Sequence, residues 1–104
     1  MAQKIVVLFN LKPDCSVKEY EAWAKSKDIP TVNGLGSVDQ FEVYRSAGLI
    51  GSDQAPPYKY IEIIDVNDME GFGGEVSTEA MQAIAAEFQA MTSDLFFILT
   101  EKLG

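Results

Sequence analysis

The most restrictive feature of the sequence is the order in which two hydrophobic periodicities alternate along its 104 residues. Apolar residues that repeat at every second position predict strands, and apolar residues that repeat every three to four positions predict helices. The predicted strands cover residues 4–10, 38–46, 58–66 and 95–102, and the predicted helices cover residues 16–28 and 77–91. The order β-α-β-β-α-β predicts an α+β protein of the ferredoxin-like class, with a four-stranded antiparallel sheet and both helices on one face.

Local signals predict where these elements begin and end. An S-x-x-E capping box begins the first helix at Ser16, and Pro30 is expected to end it and leave residues 31–36 as a loop. A single helical turn at residues 68–72 is expected to be broken by the glycine pair that begins at Gly73. The first and third strands are expected to be parallel neighbours at the centre of the sheet. No repeat or linker interrupts the chain, so we expect one domain covering residues 1–104.

The first and last predicted strands are apolar on both of their faces. The first strand places Ile5, Val7 and Phe9 on one side and Val6 and Leu8 on the other; the last strand places Leu95, Phe97 and Leu99 on one side and Phe96 and Ile98 on the other. Two helices cannot cover both faces, and burying each Val or Phe side chain stabilises a fold by roughly 1.5–3 kcal/mol. We therefore predict a homodimer whose two sheets pack face to face into a dimeric α/β-barrel. The alternative is a monomer whose 47–57 loop crosses the open face.

The balance of charged residues argues against polyanionic partners. Sixteen acidic residues and eight basic ones give a net charge of −8. A phosphate backbone or an anionic membrane surface requires clustered lysines and arginines, and Arg45 is the only arginine in the sequence. We therefore expect no nucleic-acid partner and no membrane partner, and we favour a neutral or cationic ligand.

Hydropathy along the chain favours a cytoplasmic location. The apolar run near the N-terminus covers only residues 5–9, and no small-residue cleavage pattern follows it. No apolar run elsewhere is long enough to span a bilayer. The sequence therefore predicts a soluble, cytoplasmic protein.

Two scarce residue types restrict the chemistry that the chain can perform. There is no histidine, which excludes a histidine-ligated metal and an imidazole base. Cys15 is the only cysteine, so there is no intrachain disulfide and no CxxC motif. Carboxylates, tyrosines, lysines and backbone amides are left for any acid–base step.

Glu62 is the most unusual residue of the predicted sheet, because a carboxylate interrupts the apolar strand within PPYKYIEIIDV, residues 56–66. In a central strand it should point at the helices or at a partner subunit and be poorly solvated. Burial would raise its pKa, whereas nearby tyrosine hydroxyls or a lysine would lower it. Two roles are open: a general base or counter-ion for a cationic intermediate, and a structural partner, for example of Arg45.

The segment KDIPTVNGL, residues 27–35, holds a second candidate. Asp28 is predicted at the C-terminal end of a helix, where a negative charge opposes the helix macrodipole, so a compensating contact is expected. Thr31 and Asn33 could donate hydrogen bonds to a ligand. The alternative is an ordinary loop in which Pro30 ends the helix and an Asn-Gly pair turns the chain.

Four further polar or aromatic residues are candidates for binding a ligand. Tyr20 and Trp23 lie about one helical turn apart and could form the wall of a pocket for a flat aromatic molecule, although packing in the core is the alternative. Asn10 ends the first strand, where its amide could line the mouth of a cleft. Tyr44 on the second strand could donate its hydroxyl or face outward at the sheet edge.

Five motifs, taken in their order and spacing, resemble those of the RedY-like family. They are W-x4-D-I-P-T-V at 23–32, S-V-x2-F-x-V-Y-R at 37–45, P-P-Y-x-Y-I-E-I-I-D-V at 56–66, A-A-E-F-Q at 85–89 and F-I-L-T-E at 97–101. The resemblance covers nearly the whole chain. It implies that the protein is a dimeric α/β-barrel. It also implies that its gene belongs to a cluster for the biosynthesis of prodigiosin-type tripyrrole pigments or related bis-indole products.

The resemblance also implies which residues form the site and what chemistry they serve. The family pattern points to Trp23, Asp28, Pro30, Thr31, Tyr60 and Glu62, and further to Tyr20, Asn10 and Tyr44. Some relatives resemble small cyclases that use no cofactor and act on reactive imine intermediates of aromatic precursors. Where a relative uses a histidine as acid or base, this chain has none.

Three functions follow as hypotheses. The first is cofactor-free cyclisation or condensation of a pyrrole- or indole-derived intermediate, with Glu62 and Asp28 as the catalytic carboxylates. In that hypothesis Asn10, Tyr20, Trp23, Thr31, Tyr44 and Tyr60 contact the substrate. The second is a carrier that binds a bipyrrole-like intermediate without chemistry. The third, by analogy of fold alone, is a cofactor-independent monooxygenase.

Overall fold

The computed structural model describes residues 3–104, in which one four-stranded sheet carries all of the helices on one face. The strands are β1 (Gln3–Leu11), β2 (Val38–Arg45), β3 (Tyr60–Val66) and β4 (Thr92–Leu99). The helices are α1 (Val17–Trp23), a π-helical segment (Ala24–Asp28), α2 (Ile29–Asn33), α3 (Met69–Val76) and α4 (Glu79–Met91). The strand order is β2-β3-β1-β4, so the α+β, ferredoxin-like prediction is confirmed.

The direction of the central strand pair differs from the prediction. β1 and β3 are neighbours, but they pair antiparallel, with Val7 opposite Glu62. β2 also pairs antiparallel with β3, and β4 pairs antiparallel with β1. The helical connection between β1 and β2 makes those two strands point the same way, so a strand inserted between them must run in the opposite direction. The expectation of parallel neighbours was therefore wrong.

The first helical region continues past the proline that was expected to end it. The predicted cap at Ser16 is confirmed, because its Oγ accepts a hydrogen bond of 3.1 Å from the backbone N–H of Glu19. After α1 the chain widens into the π-helical segment, in which the N–H of Ile29 bonds the carbonyl of Ala24. Pro30 has no N–H to donate, and it occupies the first turn of α2, where that absence is tolerated. Residues 31–33 are therefore helical and not part of a loop.

The glycine-rich segment also stays helical, against the prediction of a break. α3 runs through both glycines to Val76, and the hydroxyl of Ser77 caps it by donating 2.7 Å to the carbonyl of Gly73. Its apolar side packs on the core through Met69 and Phe72, which offsets the conformational entropy that glycine loses in a helix. Within residues 3–104 no helix is long and apolar enough to cross a membrane.

The face of the sheet that carries the helices, called the helical face below, holds the core. Ile5, Val7 and Phe9 of β1 are buried there with alternate residues of β3. The ring of Phe9 contacts three other aromatic rings, those of Tyr20, Tyr60 and Phe88, at centroid distances of 5.5, 5.3 and 4.9 Å. Alternation along β1 and β3 therefore directs one side of each strand into a continuous aromatic and aliphatic core.

The opposite side of the sheet, called the open face below, is apolar and uncovered. Cross-strand neighbours on it are Val6 and Leu8 of β1, Ile61 and Ile63 of β3, Phe96 and Ile98 of β4, and Tyr44 of β2. Phe96 is 52% exposed and Ile98 is 43% exposed, so the 47–57 segment does not cover them. The shape agrees with a two-layer slab, since the extents are 41 × 36 × 19 Å. The alternative closure of this face by the 47–57 loop is therefore not seen in the structure.

Candidate functional site

A cavity of about 280 Å³ lies between the helical face and the helices. Twelve of its fourteen lining residues are apolar, and the other two are the carboxylic acids Asp28 and Glu62. The sheet contributes Ile5, Phe41, Ile64 and Phe97 as a floor, and the helices with the α2–β2 turn contribute Val32, Leu35, Phe72, Val76, Met81, Ile84, Ala85 and Phe88 as walls. An apolar cavity of about 150 Å³ holds one benzene ring, so this one has room for a ligand of about two rings.

Glu62 lies in the middle of the cavity floor because β3 is the second strand of the sheet and its even-numbered residues face the helices. Its main chain pairs with Val7 on one side and with Val43 on the other. The side chain is 3% exposed, and its Oε2 accepts a hydrogen bond of 3.4 Å from the hydroxyl of Tyr20. Arg45, the structural partner that the sequence suggested for it, instead pairs with Glu21 at 2.7 Å.

Asp28 reaches the same cavity from the last position of the π-helical segment. The π-helical segment adds a residue to the turn, which redirects the side chain that follows, and such bulges are frequent at functional sites. Asp28 is 5% exposed. No described residue donates a hydrogen bond to its carboxylate. Because the helix continues through Ile29, Asp28 is not at the C-terminal end of the helical region as predicted.

The pKa values of both buried carboxyl groups are raised. Burial raises the pKa of Asp28 from 3.8 to about 7. Burial first, and then the nearby charge of Asp28, raise the pKa of Glu62 well above its ordinary value, and the hydrogen bond from Tyr20 lowers it in part. Two carboxylates in one apolar site cannot both ionise cheaply, and the protonated form is favoured more strongly at Glu62, on which both burial and a neighbouring charge act.

A second polar cluster lies behind Glu62, at the edge of the aromatic core. The carboxylate of Glu21 accepts hydrogen bonds from the hydroxyl of Tyr60 at 2.8 Å and from Arg45 Nη1 at 2.7 Å. Burial raises the pKa of both Tyr20 and Tyr60, which keeps their hydroxyls as hydrogen-bond donors. Neither tyrosine lines the cavity; Tyr20 reaches it through Glu62, and Tyr60 packs its ring on Phe9.

Trp23 lies one layer outside the cavity. Its ring stacks on that of Phe88 at a centroid distance of 6.3 Å, and Phe88 lines the cavity. Its indole N–H donates to Glu87 at 3.3 Å, and Lys27 donates to the same carboxylate at 3.0 Å. These contacts hold the π-helical segment against α4, so Trp23 can report on the cavity without touching a ligand in it.

The structure places the other three predicted binding residues away from the cavity. Asn10 secures the segment before β3: its Oδ1 accepts 2.8 Å from the N–H of Lys59, and its amide donates 3.1 Å to the carbonyl of Pro57. Tyr44 is 47% exposed on the open face. Thr31 is half-buried on α2 and does not line the cavity. A ligand in this cavity would therefore meet Asp28 and Glu62 among the eight predicted residues.

The hydrophobic walls of the cavity were not among the predicted site residues. Met81, Ile84, Ala85 and Phe88 follow helical spacing along α4, and all four line the cavity. Phe97 lies at the mouth and is 58% exposed. One sequence signal could have indicated Phe97. β4 is apolar on both faces, although a sheet that is covered on one face needs apolar residues on that face alone. In residues 3–104, no three acidic or cysteine side chains are grouped to hold a metal ion.

The comparison with protein families identifies the family to which this chain belongs. The profile of the family described as REDY-like protein HapK matches residues 3–103. The chain belongs to the HapK family of REDY-like proteins. The resemblance that the five motifs indicated is therefore confirmed. No curated protein matches the chain.

Solved structures extend the comparison to the fold of the HapK-family chain. HapK from Hahella chejuensis has a TM-score of 0.79 and 28% identity, over 100% of this chain and 94% of that chain. SnoaB from Streptomyces nogalater, described as a cofactor-independent oxygenase, has a TM-score of 0.78 and 13% identity, over 99% and 94% of the two chains. A dimeric ferredoxin-like protein from Thermobifida fusca has a TM-score of 0.76 and 14% identity, over 98% and 92%. The last two likenesses concern the fold alone.

Proposed function

We propose that this HapK-family protein binds a small flat aromatic intermediate, a bipyrrole- or indole-like molecule of prodigiosin-type pigment biosynthesis, and promotes its cyclisation or condensation without a cofactor. The observation that carries the proposal is the pair of buried carboxyl groups in an apolar cavity of about 280 Å³. An apolar cavity with a few convergent polar groups of perturbed pKa has the composition of a ligand site.

The proposed roles of the two acids follow from their protonation. Glu62, which keeps its proton, acts as general acid toward the oxygen or nitrogen that leaves the electrophilic carbon. Asp28, poised near neutrality, acts as general base for the proton on the attacking ring carbon. In a condensation of an aldehyde with a pyrrole, Glu62 protonates the carbonyl oxygen as the new C–C bond forms, and the ring C–H proton passes to Asp28. Asp28 then returns this proton to the hydroxyl, the C–O bond breaks and water leaves. The pyrrole N–H proton passes to the Glu62 carboxylate, which restores both acids. The sequence suggested Glu62 as the base; its deeper burial favours the acid.

The experiment that tests the proposal separates binding from chemistry. Trp23 stacks on the cavity residue Phe88, so its fluorescence should be quenched saturably by a bipyrrole aldehyde. Product formation with a second pyrrole is followed by mass spectrometry. Removing the acid by Glu62→Gln should lower turnover by 10²–10⁴-fold, the usual contribution of general acid–base catalysis, with little change in the affinity.

A matched control variant and two alternative outcomes complete the design of this experiment. Glu101→Gln removes an exposed glutamate outside the cavity and should leave both readouts unchanged. If the unsubstituted protein binds the aldehyde saturably but forms no product, the alternative function holds, in which the protein is a carrier of the intermediate. The apolar walls of the cavity would also suit a carrier. Absence of binding would overturn both functions. An oxygenase function is favoured by no observation beyond a shared fold at 13% identity.

The proposed working form is a cytoplasmic homodimer. The open face exposes Phe96 and Ile98 beside Leu8 and Val6, an apolar patch larger than isolated surface residues produce. A second copy would bury it by face-to-face packing of two sheets. A structural neighbour from Thermobifida fusca is described as dimeric, which supports this assembly. Light scattering at micromolar concentration should give twice the chain mass of 11.4 kDa, and a monomer would contradict the proposal.

A further inference from the structure

The charges around the cavity restrict the choice of ligand more than the shape of the cavity does. Asp28 is 5% exposed and Glu62 is 3% exposed, and both line the same apolar space. Within the described part of the chain, no lysine or arginine lines this space. The nearest lysine along the sequence, Lys27, is engaged at the surface with Glu87. Two acids are thus enclosed without a protein cation, which is an uncommon and costly arrangement.

Asp28 is the group that the protein leaves without a partner. Glu62 accepts a hydrogen bond from Tyr20, whereas no hydrogen bond to the carboxylate of Asp28 comes from any residue between 3 and 104. The same contrast appears in the physical causes of the pKa shifts, since burial alone acts on Asp28. A buried carboxyl group aimed into a cavity with no donor has its hydrogen-bonding capacity free for a ligand.

We infer that this cavity selects a flat aromatic cation whose protonated nitrogen carries N–H groups toward the carboxylate of Asp28 and the carboxyl oxygens of Glu62. The inference rests on the proposed function and deepens it by naming the charge state of the ligand. An amidinium, an iminium or a protonated heteroaromatic nitrogen has this chemistry. Such a cation replaces the missing counter-ion and offers charge-assisted hydrogen bonds, which are about twice as strong as neutral ones. A carboxylate or phosphate ligand would instead place a second negative charge beside the carboxylate of Asp28.

The polarity of the walls orients this ligand. Phe72, Val76, Met81 and Ile84 form the side of the cavity contributed by α3 and α4, and they can only receive an apolar ring system. The two acids come from β3 and the π-helical segment. The ring therefore packs between the helices and the sheet, and the N–H groups point to the acids. This orientation would place the reacting atoms of a protonated intermediate beside Asp28 and Glu62.

The test uses three ligands of one shape and different charge: 2-naphthamidine, a cation; 2-naphthamide, neutral; and 2-naphthoate, an anion. Their affinities are measured by isothermal titration calorimetry at pH 8. We expect the cation to bind at least tenfold more tightly than the amide, and the anion to bind more weakly than the amide. Asp28→Asn should reduce the preference for the cation over the amide to less than threefold. Asp39→Asn, which changes an exposed aspartate outside the cavity, should retain it.

A measurement on the unsubstituted protein gives an independent outcome. The groups that face Asp28 are Glu62 from β3 and Tyr20 from α1. Lowering the pH from 8 to 5 protonates Asp28, so the affinity for the amidine should fall at least tenfold while that for the amide stays constant. Equal affinities for amidine and amide at pH 8 would overturn the inference and leave the proposed function intact. No binding of any of the three would overturn both.

Discussion

Both faces of the sheet carry apolar side chains, and within the central strands the two faces differ in how completely these side chains are buried. On the helical face, Val7 and Phe9 are completely buried and the space that remains is a cavity with two acids. On the open face, Phe96 and Ile98 are about half exposed. The difference teaches that hydrophobicity alone does not identify the core of a subunit. Apolar residues that exceed what the chain's own helices can cover indicate an assembly surface.

The largest expected effect is the loss of a core aromatic side chain on the helical face. Phe9→Ala should lower the free energy of unfolding by about 3–5 kcal/mol, because the removed ring contacts three others and its site cannot collapse fully. Urea denaturation measures this change. On the open face, Phe96→Ala in a background made monomeric by Ile98→Asp should cost less than about 1 kcal/mol. Equal losses of unfolding free energy at Phe9 and Phe96 would contradict the difference between the two faces.

A similar effect is expected from the buried acid, and its sign depends on pH. The pKa of Asp28 is raised from 3.8 to about 7, so the stability associated with its bound proton is complete below pH 3.8 and is lost as the pH rises to about 7. Asn resembles the protonated form. Asp28→Asn should therefore match the unsubstituted protein near pH 4 and exceed its unfolding free energy by up to about 4 kcal/mol above pH 7.

Denaturation curves at pH 4, 6 and 8 measure this difference. Asp39→Asn removes an exposed carboxylate and should produce a pH-independent difference close to zero. If Asp28→Asn proved less stable than the unsubstituted protein at pH 8, the carboxylate would have a stabilising partner, and the unpaired state argued for it would be incorrect.

A charge on the open face should break the proposed dimer without unfolding the subunit. Ile98→Asp would place a carboxylate in the middle of the buried interface, and an uncompensated buried charge costs several kcal/mol. We expect the dissociation constant to rise at least a hundredfold, which corresponds to about 3 kcal/mol. Analytical ultracentrifugation across a concentration series measures it. Ala83→Asp on the exposed side of α4 is the control, and a monomeric Ala83→Asp would show that any added charge has this effect.

The smallest effect is expected for the hydrogen bond between Tyr20 and Glu62. Tyr20→Phe removes the 3.4 Å contact at nearly constant volume and should cost about 1 kcal/mol of stability. Since that bond lowers the pKa of Glu62, the variant should titrate this carboxyl at a higher pH. Carbon-detected NMR of the labelled side chain follows the titration. Tyr60→Phe, whose hydroxyl contacts Glu21 instead, should leave the titration of Glu62 unchanged.

The sequence by itself determined the element order, the class of the fold and the two acids. Period-two alternation is a local property, so it identified β1 and β3 and the β3 residues that share a side with Glu62, while the choice between the helices and a partner subunit stayed open. The excess of apolar residues on β4 indicated that one face of the sheet is uncovered, and this inference did not require knowing which strands pair with β4. The five motifs led to the family, which the match over residues 3–103 then established.

Only the tertiary structure decided how these elements combine. The direction of β3 beside β1 follows from the connections around it, and the continuation of helix through Pro30 follows from a π-helical turn that no local signal announced. The shared cavity of Asp28 and Glu62 depends on residues 34 positions apart along the chain. Their meeting, and the displacement of Asn10, Thr31 and Tyr44 from it, are consequences of packing between helices and sheet, which a linear pattern does not encode.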